Sequence, residues 1–575
     1  MPATSSQAGV KRILLSGVFG PFGVDDEYGR KENIMELFHN QVTREQGLAS
    51  FRFHHRSYGL YFLAENIDAD VTVLDFPSRE RFLREVALGD YDIVGLSFIA
   101  VNHLKAKEMA RIVREQAPRA EIILGGHGAA IEGVQELIEC DQVCQGEGIR
   151  WLRAHLGQDP DAPIRHPALS STERYSIFGV PLPGITANLL VPGVGCVNGC
   201  SFCCTSHFFG KRYTAYLGTG EELFETACRV ADERGTDAFF VMDENFLKDR
   251  ERALRLLELI EQHRRFFRFH IFSSAEAITA FGVDNMLRLG VTMCWIGFES
   301  QSRQSAFAKN AGIDTRALVQ DLRDRGISVL ASGILCMEHH TPENMQQDID
   351  FLCGLEPDFV QFMLLTGLPV TALYLDHKRR GLLRDDVPME EWHGQTRLNY
   401  KHEAFGPGEP AEWMRRAFRQ DYTQNSSSMY RVAETSVRGY EHIKALPERD
   451  ACLEARLQQF EAQAREYCLM MPAIARNAVN ARERQRALEL DVRALRLFGR
   501  SLRERLFTLG ARAMVARWKY RLAIFGDQIQ PDTIVTHYPA GRRGLTARIA
   551  GRRRDAASTA GLGLPPAAAA ASTLE

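Results

Sequence analysis

Four cysteines lie close together in this 575-residue chain, at Cys196, Cys200, Cys203 and Cys204. The others are scattered, so the cysteines as a whole do not form the framework of a disulfide-rich fold. The first three follow a Cys-x3-Cys-x2-Cys spacing inside a glycine-rich segment. Three thiolates that lie near one another can hold one iron–sulfur cube and leave one iron without a protein ligand. An iron left open in this way can bind a small chelating cofactor.

A structural zinc site is the alternative for the same segment. Zinc requires a fourth ligand to close its tetrahedron, and either Cys204 or His207 could supply one. We predict an iron–sulfur cluster held by Cys196, Cys200 and Cys203, and keep the zinc site as the competing hypothesis.

The cysteines must be positioned by the strands around them. One short apolar run precedes the cluster and five follow it, with amphipathic stretches between them. The candidate strands are residues 189–191, 238–241, 269–272, 293–296, 328–331 and 359–362. Six strands that alternate with helices predict a partial (β/α)6 barrel over residues 186–400.

The same alternation appears earlier in the chain, over residues 10–156. Its candidate strands are residues 12–16, 71–75, 93–97 and 121–124. This pattern predicts an α/β, doubly wound (Rossmann-like) domain. Residues 157–185 are rich in proline and polar side chains and are predicted to be a linker. We expect a helical domain over 401–540 and disorder in residues 1–9 and 541–575.

The cysteine segment resembles the radical S-adenosylmethionine superfamily. The spacing of Cys196, Cys200 and Cys203 is typical of that family, as is an aromatic residue, here Phe202, before the third cysteine. The resemblance covers residues 186–400. It implies a [4Fe–4S] cluster whose open iron is chelated by S-adenosylmethionine, and cleavage of that cofactor to a 5′-deoxyadenosyl radical. It also implies an external electron donor of the flavodoxin or ferredoxin type.

Further positions are assigned through this resemblance. Asp243 and Glu244 end the second strand, where the family receives the methionine ammonium; an acidic helix N-cap is the alternative. Ser274 and Glu299 end the third and fourth strands, which face the mouth of a parallel barrel. Glu299 could instead be a surface-loop carboxylate. Gly333 fits a strand that packs against adenine, where glycine permits a close approach.

Residues 368–374 resemble the Pro-Gly-Thr segment that follows the sixth strand in this family. Val370 stands in the place of the glycine. The turn in this chain therefore departs from the family pattern.

Residues 10–156 resemble the cobalamin-binding domain that precedes the radical domain in one large subfamily. The resemblance rests on three short glycine-containing segments at 95–97, 125–127 and 146–148. Small residues at strand ends let a doubly wound sheet receive a flat macrocycle. The cofactor-binding candidates are Gly95, Ser97, Gly125, Gly126 and Glu147. The alternative is that these are tight turns of any doubly wound domain.

The mode of cobalamin binding is constrained by a missing motif. Proteins that coordinate cobalt through histidine use Asp-x-His-x-x-Gly, and the sequence contains none. We therefore expect base-off cobalamin and predict that His127 is a turn residue. A long polar and aromatic insert, residues 25–56, could cap the macrocycle or the substrate. We predict that it is a solvated lid.

The C-terminal region contains a strongly basic segment. Residues 476–525 have 13 basic and 4 acidic side chains, a local charge of +9, whereas the whole chain has a formal charge of −3. Apolar residues recur along positions 488–509 at helical spacing, beside Arg493, Arg496, Arg500 and Arg503. Such a helix could contact an anionic membrane or pack on the barrel with snorkelling arginines. We predict packing and expect no nucleic-acid partner.

Composition excludes several classes of protein. Apolar residues make up 45% of the chain and charged residues 25%, as in ordinary globular proteins. No run approaches 18 uninterrupted apolar residues, and residues 1–7 lack a charged-then-apolar signal. We therefore expect a cytoplasmic protein, with a peripheral position at the inner membrane face as the alternative.

The resemblance also implies a reaction class. Relatives use the deoxyadenosyl radical to take hydrogen from an unactivated carbon, after which methylcobalamin delivers a methyl group. We predict a methyltransferase that acts on a small molecule or lipid. Cobalamin-dependent cyclisation or rearrangement without net methylation is the alternative, as is a membrane- or partner-docked member of a complex. No catalytic side chain is assigned, and the substrate is not identified by the sequence.

Overall fold

Short apolar runs and amphipathic stretches fold into two parallel sheets with helices on their faces. The computed structural model describes residues 10–20, 27–28, 41–177, 180–181, 187–301, 310, 312–525 and 531–541. Disorder was predicted for residues 1–9 and 541–575, and all of these positions except Gly541 lie outside the described residues. Most of residues 25–40 also lies outside them.

The strands account for both sheets and for two smaller antiparallel units. In chain order they are β1 (Arg12–Gly17), β2 (Arg52–His55), β3 (Asp70–Asp75), β4 (Ile93–Ser97), β5 (Glu121–Gly125), β6 (Gln142–Val143), β7 (Thr172–Ile177), β8 (Val180–Pro181), β9 (Asn188–Leu190), β10 (Gly193–Gly195), β11 (Tyr213–Ala215), β12 (Ala238–Val241), β13 (Arg268–Phe272), β14 (Val291–Glu299), β15 (Ser328–Leu335), β16 (Phe359–Leu364) and β17 (Ile534–Tyr538).

The helices fill the connections and form most of the C-terminal region. In chain order they are α1 (Tyr58–Asn66), α2 (Arg79–Gly89), α3 (His103–Gln116), α4 (Val134–Leu137), α5 (Gly148–His155), α6 (Cys204–Phe208), α7 (Gly220–Arg234), α8 (Arg250–His263), α9 (Ala275–Phe281), α10 (Val283–Leu289), α11 (Thr315–Asp324), α12 (Pro342–Gly354), α13 (Ala372–Arg379), α14 (Glu409–Asn425), α15 (Ser428–Ala445), α16 (Ala451–Cys468), α17 (Met471–Asn477), α18 (Ala481–Phe498) and α19 (Leu502–Phe525).

The first sheet is a six-stranded, doubly wound sheet in the order β17-β3-β1-β4-β5-β6. Its central strands are buried on both faces, as continuous apolar runs require in a parallel sheet. Leu14 and Leu74 pack into the core on one face, whereas Ile13 and Val73 pack into the core on the other. The predicted doubly wound fold is therefore confirmed.

The edge of this sheet is completed by the far end of the chain. β17 pairs antiparallel with β3, with Ile534 opposite Asp75 and Tyr538 opposite Val71. Residues 401–540 were expected to form a helical domain, and β17 is a strand within that range. The physical reason is that β3 would otherwise leave a row of unpaired backbone groups at the sheet edge.

The second part of the insert is buried, so the prediction of a solvated lid is wrong for its described residues. Val42, Phe51 and His54 are buried. β2 pairs antiparallel with β7, which pairs with β8, and both partners lie in the 157–185 segment that was expected to be a linker. The two segments stabilise each other through backbone pairing, which composition alone does not reveal.

The second sheet is an open six-stranded parallel sheet in the order β16-β15-β14-β13-β12-β9. Helices cover its outer face, where Phe239, Val329 and Val360 are buried. On its inner face Met293 and Leu330 pack with residues of the C-terminal helices and of the 41–53 segment. This arrangement confirms the partial (β/α)6 barrel, and its strand ends frame the site.

The C-terminal helices pack against the barrel. Asp421 of α14 and Arg431 of α15 form a buried ion pair at 2.7 Å. The predicted single apolar face over positions 488–509 is wrong, because Gly499, with φ of +65°, ends α18 and separates it from α19. Among the described residues, no helix has the length and apolar character needed to cross a membrane.

Candidate active site

The cysteine loop is tied at its base by a small hairpin. β10 and β11 pair on either side of residues 196–212. Inside the loop the Ser206 hydroxyl donates to the carbonyl of Cys196 at 2.7 Å. The Cys203 amide donates to the carbonyl of Cys200 at 3.0 Å. Protein contacts alone therefore fold the Cys-x3-Cys-x2-Cys segment back on itself.

Three of the four thiols, those of Cys196, Cys200 and Cys203, lie close enough for the charge of one to shift the pKa of another. Burial raises the pKa of Cys196, and it raises the pKa of Cys203 to about 11. The neighbouring charges of Glu244 and Cys200 push both values in the same direction. Burial also raises the pKa of Cys204 to about 12, but among the other thiols only Cys203 acts on it. Cys204 therefore stands apart from the other three.

This donor set fits an iron–sulfur cube. Three thiols on one short loop are the ligands that such a cube uses when one iron stays open. Protonated thiols release their protons when they bind metal. Among the described residues, no group of three or more His, Cys, Asp or Glu side chains is placed to hold a single metal ion.

Two adjacent carboxylates at the end of β12 have different surroundings. Asp243 is buried in an ion pair with Arg252 at 2.9 Å and accepts a hydrogen bond from the Tyr213 hydroxyl at 2.7 Å. The side chain of Glu244 is exposed, and its charge is near enough to Cys196 and Cys203 to raise the pKa of both. Desolvation by the surrounding protein together with the charge of Asp243 raises the pKa of Glu244 itself. Neither carboxylate caps α8, whose N-cap is Asp249, whereas Asp243 also accepts a hydrogen bond from the backbone amide of Asn245 at 3.1 Å. Glu244 is thus the carboxylate that a ligand cation would stabilise.

The ends of β12 and β13 are cross-linked by a buried polar group. The Asn245 amide donates to the Ser274 hydroxyl at 3.1 Å. Its carbonyl oxygen accepts from the Ser273 hydroxyl at 3.1 Å and from the Ser274 amide at 3.0 Å. Ser274, expected to bind cofactor, is therefore already engaged in holding two strand ends together.

The next two strands change the expected roles of their residues. Glu299 is buried at the end of β14, where the register with β15 shifts, so it is not a surface-loop carboxylate. The predicted reason for Gly333 is wrong. A side chain at Gly333 would meet Leu352 of α12 at 2.2 Å, so the glycine makes room for a helix outside the barrel rather than for adenine.

A cavity of about 560 Å³ lies between the two sheets. The carboxyl ends of the first sheet line one side of it, which is where open α/β sheets bind their ligands. All five cobalamin candidates lie on this side: Gly95, Ser97, Gly125, Gly126 and Glu147. The other side is formed by the cysteine loop and the mouth of the barrel, through Phe208, Phe209, Phe240, Met242, Phe272 and Trp295.

The two glycines after β5 differ in what they permit. A side chain on Gly125 would meet nothing within 4 Å, so the space beside this glycine is open. Gly126 has φ of +77°, and a side chain there would meet the carbonyl oxygen of Phe98 at 2.6 Å. Gly125 leaves room for a ligand, whereas Gly126 shapes the turn. A surface that carries no side chains can accommodate a flat macrocycle.

Glu147 joins the first domain to the second. Its carboxylate caps α5 by accepting from the amides of Ile149 and Arg150 at 2.9 and 2.8 Å. It also accepts a hydrogen bond from the Tyr216 hydroxyl at 2.7 Å. Burial raises the pKa of Tyr216, so this residue remains a neutral donor. The cavity wall is thereby closed by a contact between the domains.

His127 packs against the helix that follows the cysteines. It begins the 3-10 helix His127–Ala130, in agreement with its prediction as a turn residue. Its ring centroid lies 4.6 Å from that of Phe208. Burial lowers the pKa of His127 to about 4, so the ring is neutral, and its Nε2 atom has no hydrogen-bond partner among the described residues.

Several site residues were missed by the sequence analysis. No local sequence pattern predicts the contacts made by Ser206, Asn245 and Tyr216. Tyr216, for example, lies 69 positions from Glu147 in the chain. A usable signal did exist for the aromatic pair at the barrel mouth. Phe272 and Trp295 follow the period-two alternation of predicted strands, and their rings stack with centroids 5.0 Å apart.

Two protein-family models match the chain in sequence order. A model of the B12 binding domain matches residues 47–154, and a model of the Radical SAM superfamily matches residues 190–352. The first match lies around the glycine-lined side of the cavity. The second contains the cysteine loop and the strand ends opposite.

Curated relatives of the chain are methyltransferases. An uncharacterized methyltransferase of Pyrococcus horikoshii is 23% identical over 55% of this chain and 77% of its own length. The bacteriochlorophyllide d C-8(2)-methyltransferase of Chlorobaculum tepidum is 20% identical over 54% of this chain and 73% of its own. The hopanoid C-2 methylase of Rhodopseudomonas palustris is 22% identical over 42% and 49%, respectively.

These matches agree with the geometry of the site. A corrinoid domain faces a radical domain across one cavity, and the cofactors of the chain are cobalamin, a [4Fe–4S] cluster and S-adenosylmethionine. The zinc alternative has no support among the family models. The chain carries a B12 binding domain followed by a radical S-adenosylmethionine domain, which is the domain order of cobalamin-dependent radical S-adenosylmethionine enzymes, and the curated proteins to which it is similar are methyltransferases.

Proposed function

We propose that this enzyme transfers a methyl group to an unactivated carbon of an apolar small molecule or lipid. The observation that carries the proposal is the aromatic wall that faces the corrinoid side of the cavity. Phe240, Phe272 and Trp295 line this wall. An apolar wall favours an apolar ligand, because a polar ligand would lose its hydrogen bonds to water without replacement.

The cluster and S-adenosylmethionine are assigned to the cysteine side. Cys196, Cys200 and Cys203 are proposed to hold the cluster, and Glu244 to receive the ammonium of S-adenosylmethionine. Asp243 is neutralised by Arg252 at 2.9 Å, which leaves Glu244 as the carboxylate that pairs with the ligand. When bound, the cofactors supply the radical and the methyl group. The side chains supply position and exclude water.

The corrinoid is assigned to the glycine-lined side. Gly95, Ser97 and Gly125 are proposed to lie against the macrocycle, with Gly126 shaping the turn beneath it. His127 is neutral and half-buried, and its ring packs on Phe208 of α6. We therefore propose base-off cobalamin without a histidine ligand to cobalt.

Three further residues support the site rather than react. Ser274 keeps two strand ends together through Asn245. Glu147 holds the domains at the distance that the cavity requires, through Tyr216. Glu299, buried at the end of β14, is proposed to contact the hydroxyl groups of S-adenosylmethionine.

The relatives support methylation over the alternative reaction. They are named for methylating a bacteriochlorophyllide and a hopanoid. Cyclisation or rearrangement without net methylation has no counterpart among them.

Two partners belong to this proposal. The chemistry requires an external reductant, and we propose a flavodoxin- or ferredoxin-type protein as its source. We also propose a peripheral membrane contact through residues 476–525. Their local charge of +9 supports this contact, because anionic lipid attracts basic segments.

The test is an anaerobic assay of enzyme loaded with cluster and hydroxocobalamin, with S-adenosylmethionine that carries a trideuterated methyl group. A hopanoid and a bacteriochlorophyllide serve as probe substrates. We expect 5′-deoxyadenosine and a product heavier by one trideuterated methyl group. The Cys196→Ala/Cys200→Ala/Cys203→Ala variant is the control and should form neither. A product that loses hydrogen without gaining deuterium would contradict methyl transfer.

A further inference from the structure

The last described helix is apolar on two opposite sides. On its inward side Ala511, Val515 and Trp518 are buried, and α19 packs there against α17 and the turn Gly47–Ala49. Its outward side exposes large apolar side chains. Their exposed fractions are 74% for Leu502, 61% for Leu506, 59% for Leu509, 69% for Tyr520 and 52% for Ile524.

The exposed residues form one continuous stripe. At about 3.6 residues per turn, positions 502, 506, 509, 520 and 524 fall on the same side of a helix, and Ala513 lies between them on that side. We refer to these six positions as the α19 stripe. Large contiguous apolar patches on a folded protein mark interaction surfaces. The stripe therefore indicates a partner on the side of α19 that faces away from the protein.

Basic side chains border the α19 stripe on both flanks. Arg505, Arg512 and Lys519 recur at seven-residue steps along one flank. Arg503, Arg517 and Arg521 lie along the other flank. All six are exposed, and none makes an ion pair with another residue of the described chain. The one acidic residue of α19, Glu504, accepts a hydrogen bond from the amide of Ser501 at 2.6 Å.

We propose that α19 lies in the surface of an anionic lipid bilayer. The stripe would occupy the boundary between headgroups and acyl chains, and the two basic flanks would meet anionic headgroups. A second copy of the chain is a poorer partner, because it would bring the same six cations together. The inference rests on the proposed contact of residues 476–525 and names the helix that makes it. It does not depend on methyl transfer.

The preceding helix is less suited to this contact. α18 also exposes apolar residues, Leu488, Val492 and Leu495. However, its arginines are partly committed to the protein. Arg493 forms an ion pair with Glu441, and Arg500 with Asp491 at 2.5 Å. The four-arginine face expected from the sequence is therefore not fully available to lipid. We assign the membrane contact to α19 instead.

The first experiment removes charge from one flank of the full-length protein. We expect Arg505→Gln/Arg512→Gln/Lys519→Gln to weaken sedimentation with vesicles of equal phosphatidylglycerol and phosphatidylcholine by about a hundredfold. A matched control removes three exposed arginines elsewhere, by the substitutions Arg84→Gln, Arg119→Gln and Arg415→Gln. The control should bind like the wild type. Equal losses in both variants would overturn the proposal, since net charge alone would explain them.

The second experiment removes apolar surface. Leu506→Gln/Leu509→Gln should weaken binding to the same vesicles by about tenfold or more, because two apolar side chains no longer insert into the bilayer. The control Leu88→Gln/Leu375→Gln changes leucines that are 80% and 55% exposed elsewhere, and it should not alter binding. Thermal unfolding of all variants should match that of the wild type, because the changed side chains face solvent.

The outcomes separate this inference from the contact on which it rests. Wild-type protein that ignores anionic vesicles would overturn both. Binding that is lost in Leu488→Gln/Val492→Gln/Leu495→Gln and kept in the two α19 variants would overturn the assignment to α19 alone. Lipid-free light scattering that shows a dimer, converted to monomer by Leu506→Gln/Leu509→Gln, would show that the stripe binds a second chain, and would overturn the lipid assignment.

Discussion

The hydroxyl of Tyr216 donates a hydrogen bond to the carboxylate of Glu147 at 2.7 Å. The two residues belong to different domains, and both line the cavity between the sheets. The carboxylate also caps α5. One acidic side chain therefore fixes a helix start on the corrinoid side and a loop on the cluster side, so the width of the cavity depends on this pair.

Tyr216→Phe should loosen the cavity without unfolding either domain. Glu147 keeps its two amide donors, so only one charge-assisted hydrogen bond is lost, worth about 1.5 kcal/mol. We expect faster dissociation of hydroxocobalamin, measured by its visible spectrum after dilution. Glu147→Gln and the double variant complete a mutant cycle, and additive effects on dissociation would contradict the coupling.

Removing the three grouped thiols should remove the iron. Reconstituted wild-type protein should hold about four irons and four sulfides, as expected of one cube. Cys196→Ala/Cys200→Ala/Cys203→Ala should hold none, and it should no longer cleave S-adenosylmethionine. Cys204→Ala is the matched control and should keep the full cluster, measured by iron and sulfide analysis. Iron loss in the Cys204 variant would mean that the ligand set is different.

The open space beside Gly125 predicts where a large side chain would block the binding of cobalamin. Gly125→Trp should abolish retention of hydroxocobalamin while the unfolding temperature stays near that of the wild type, because the new ring enters open space. Gly126→Trp should instead lower the unfolding temperature, since its φ of +77° and the nearby Phe98 carbonyl oppose any side chain. Gly406→Trp, on an exposed turn, is the control. Normal corrinoid binding by Gly125→Trp would place the macrocycle elsewhere.

Val370 holds a backbone conformation that suits glycine, with φ of +70°. The family glycine is missing here, but the turn that it would make is present. Val370→Gly should therefore be more stable than Val370→Ala, by about 1 kcal/mol, because alanine keeps the strain. The order should reverse at Val360, which lies in strand β16. Thermal unfolding of the four variants decides this, and alanine more stable than glycine at both positions would contradict it.

The raised pKa of Glu244 predicts a pH dependence with a definite sign. The folded protein holds this proton more tightly than the unfolded chain, so unliganded stability should rise as pH falls through the folded pKa. Binding of the S-adenosylmethionine ammonium should weaken over the same pH range, because the carboxylate loses its charge. Glu244→Gln should remove both trends, whereas the exposed Glu251→Gln should keep them. Calorimetric titration at several pH values measures the binding, and unchanged pH dependence in Glu244→Gln would exclude this role.

Local patterns were sufficient for the elements that build the site. The six strands of the second sheet, four of the six strands of the first, the cysteine spacing and the glycines at strand ends follow local patterns and were predicted. The two edge strands of the first sheet, β6 and β17, were not predicted. Contacts between distant segments were not predictable in this way. Burial of the 41–55 segment depends on β7, and the role of Gly333 depends on a neighbouring helix. Glycine at position 499 is visible in the sequence, but only the structure shows that it divides the basic helix.

The position of β17 has a consequence for how the protein is made. Thr72 of β3 and His537 of β17, which lie 3.1 Å apart across the sheet edge, are separated by 465 positions in the chain. At ribosomal rates of about 5–20 residues per second, the nascent corrinoid domain waits tens of seconds for its last strand. During that time the edge of β3 is open to pairing with strands of other nascent chains. A corrinoid domain expressed alone would keep this edge exposed permanently. We therefore expect nascent chains on the ribosome and truncated fragments to aggregate for the same reason, which is pairing at the open edge of β3.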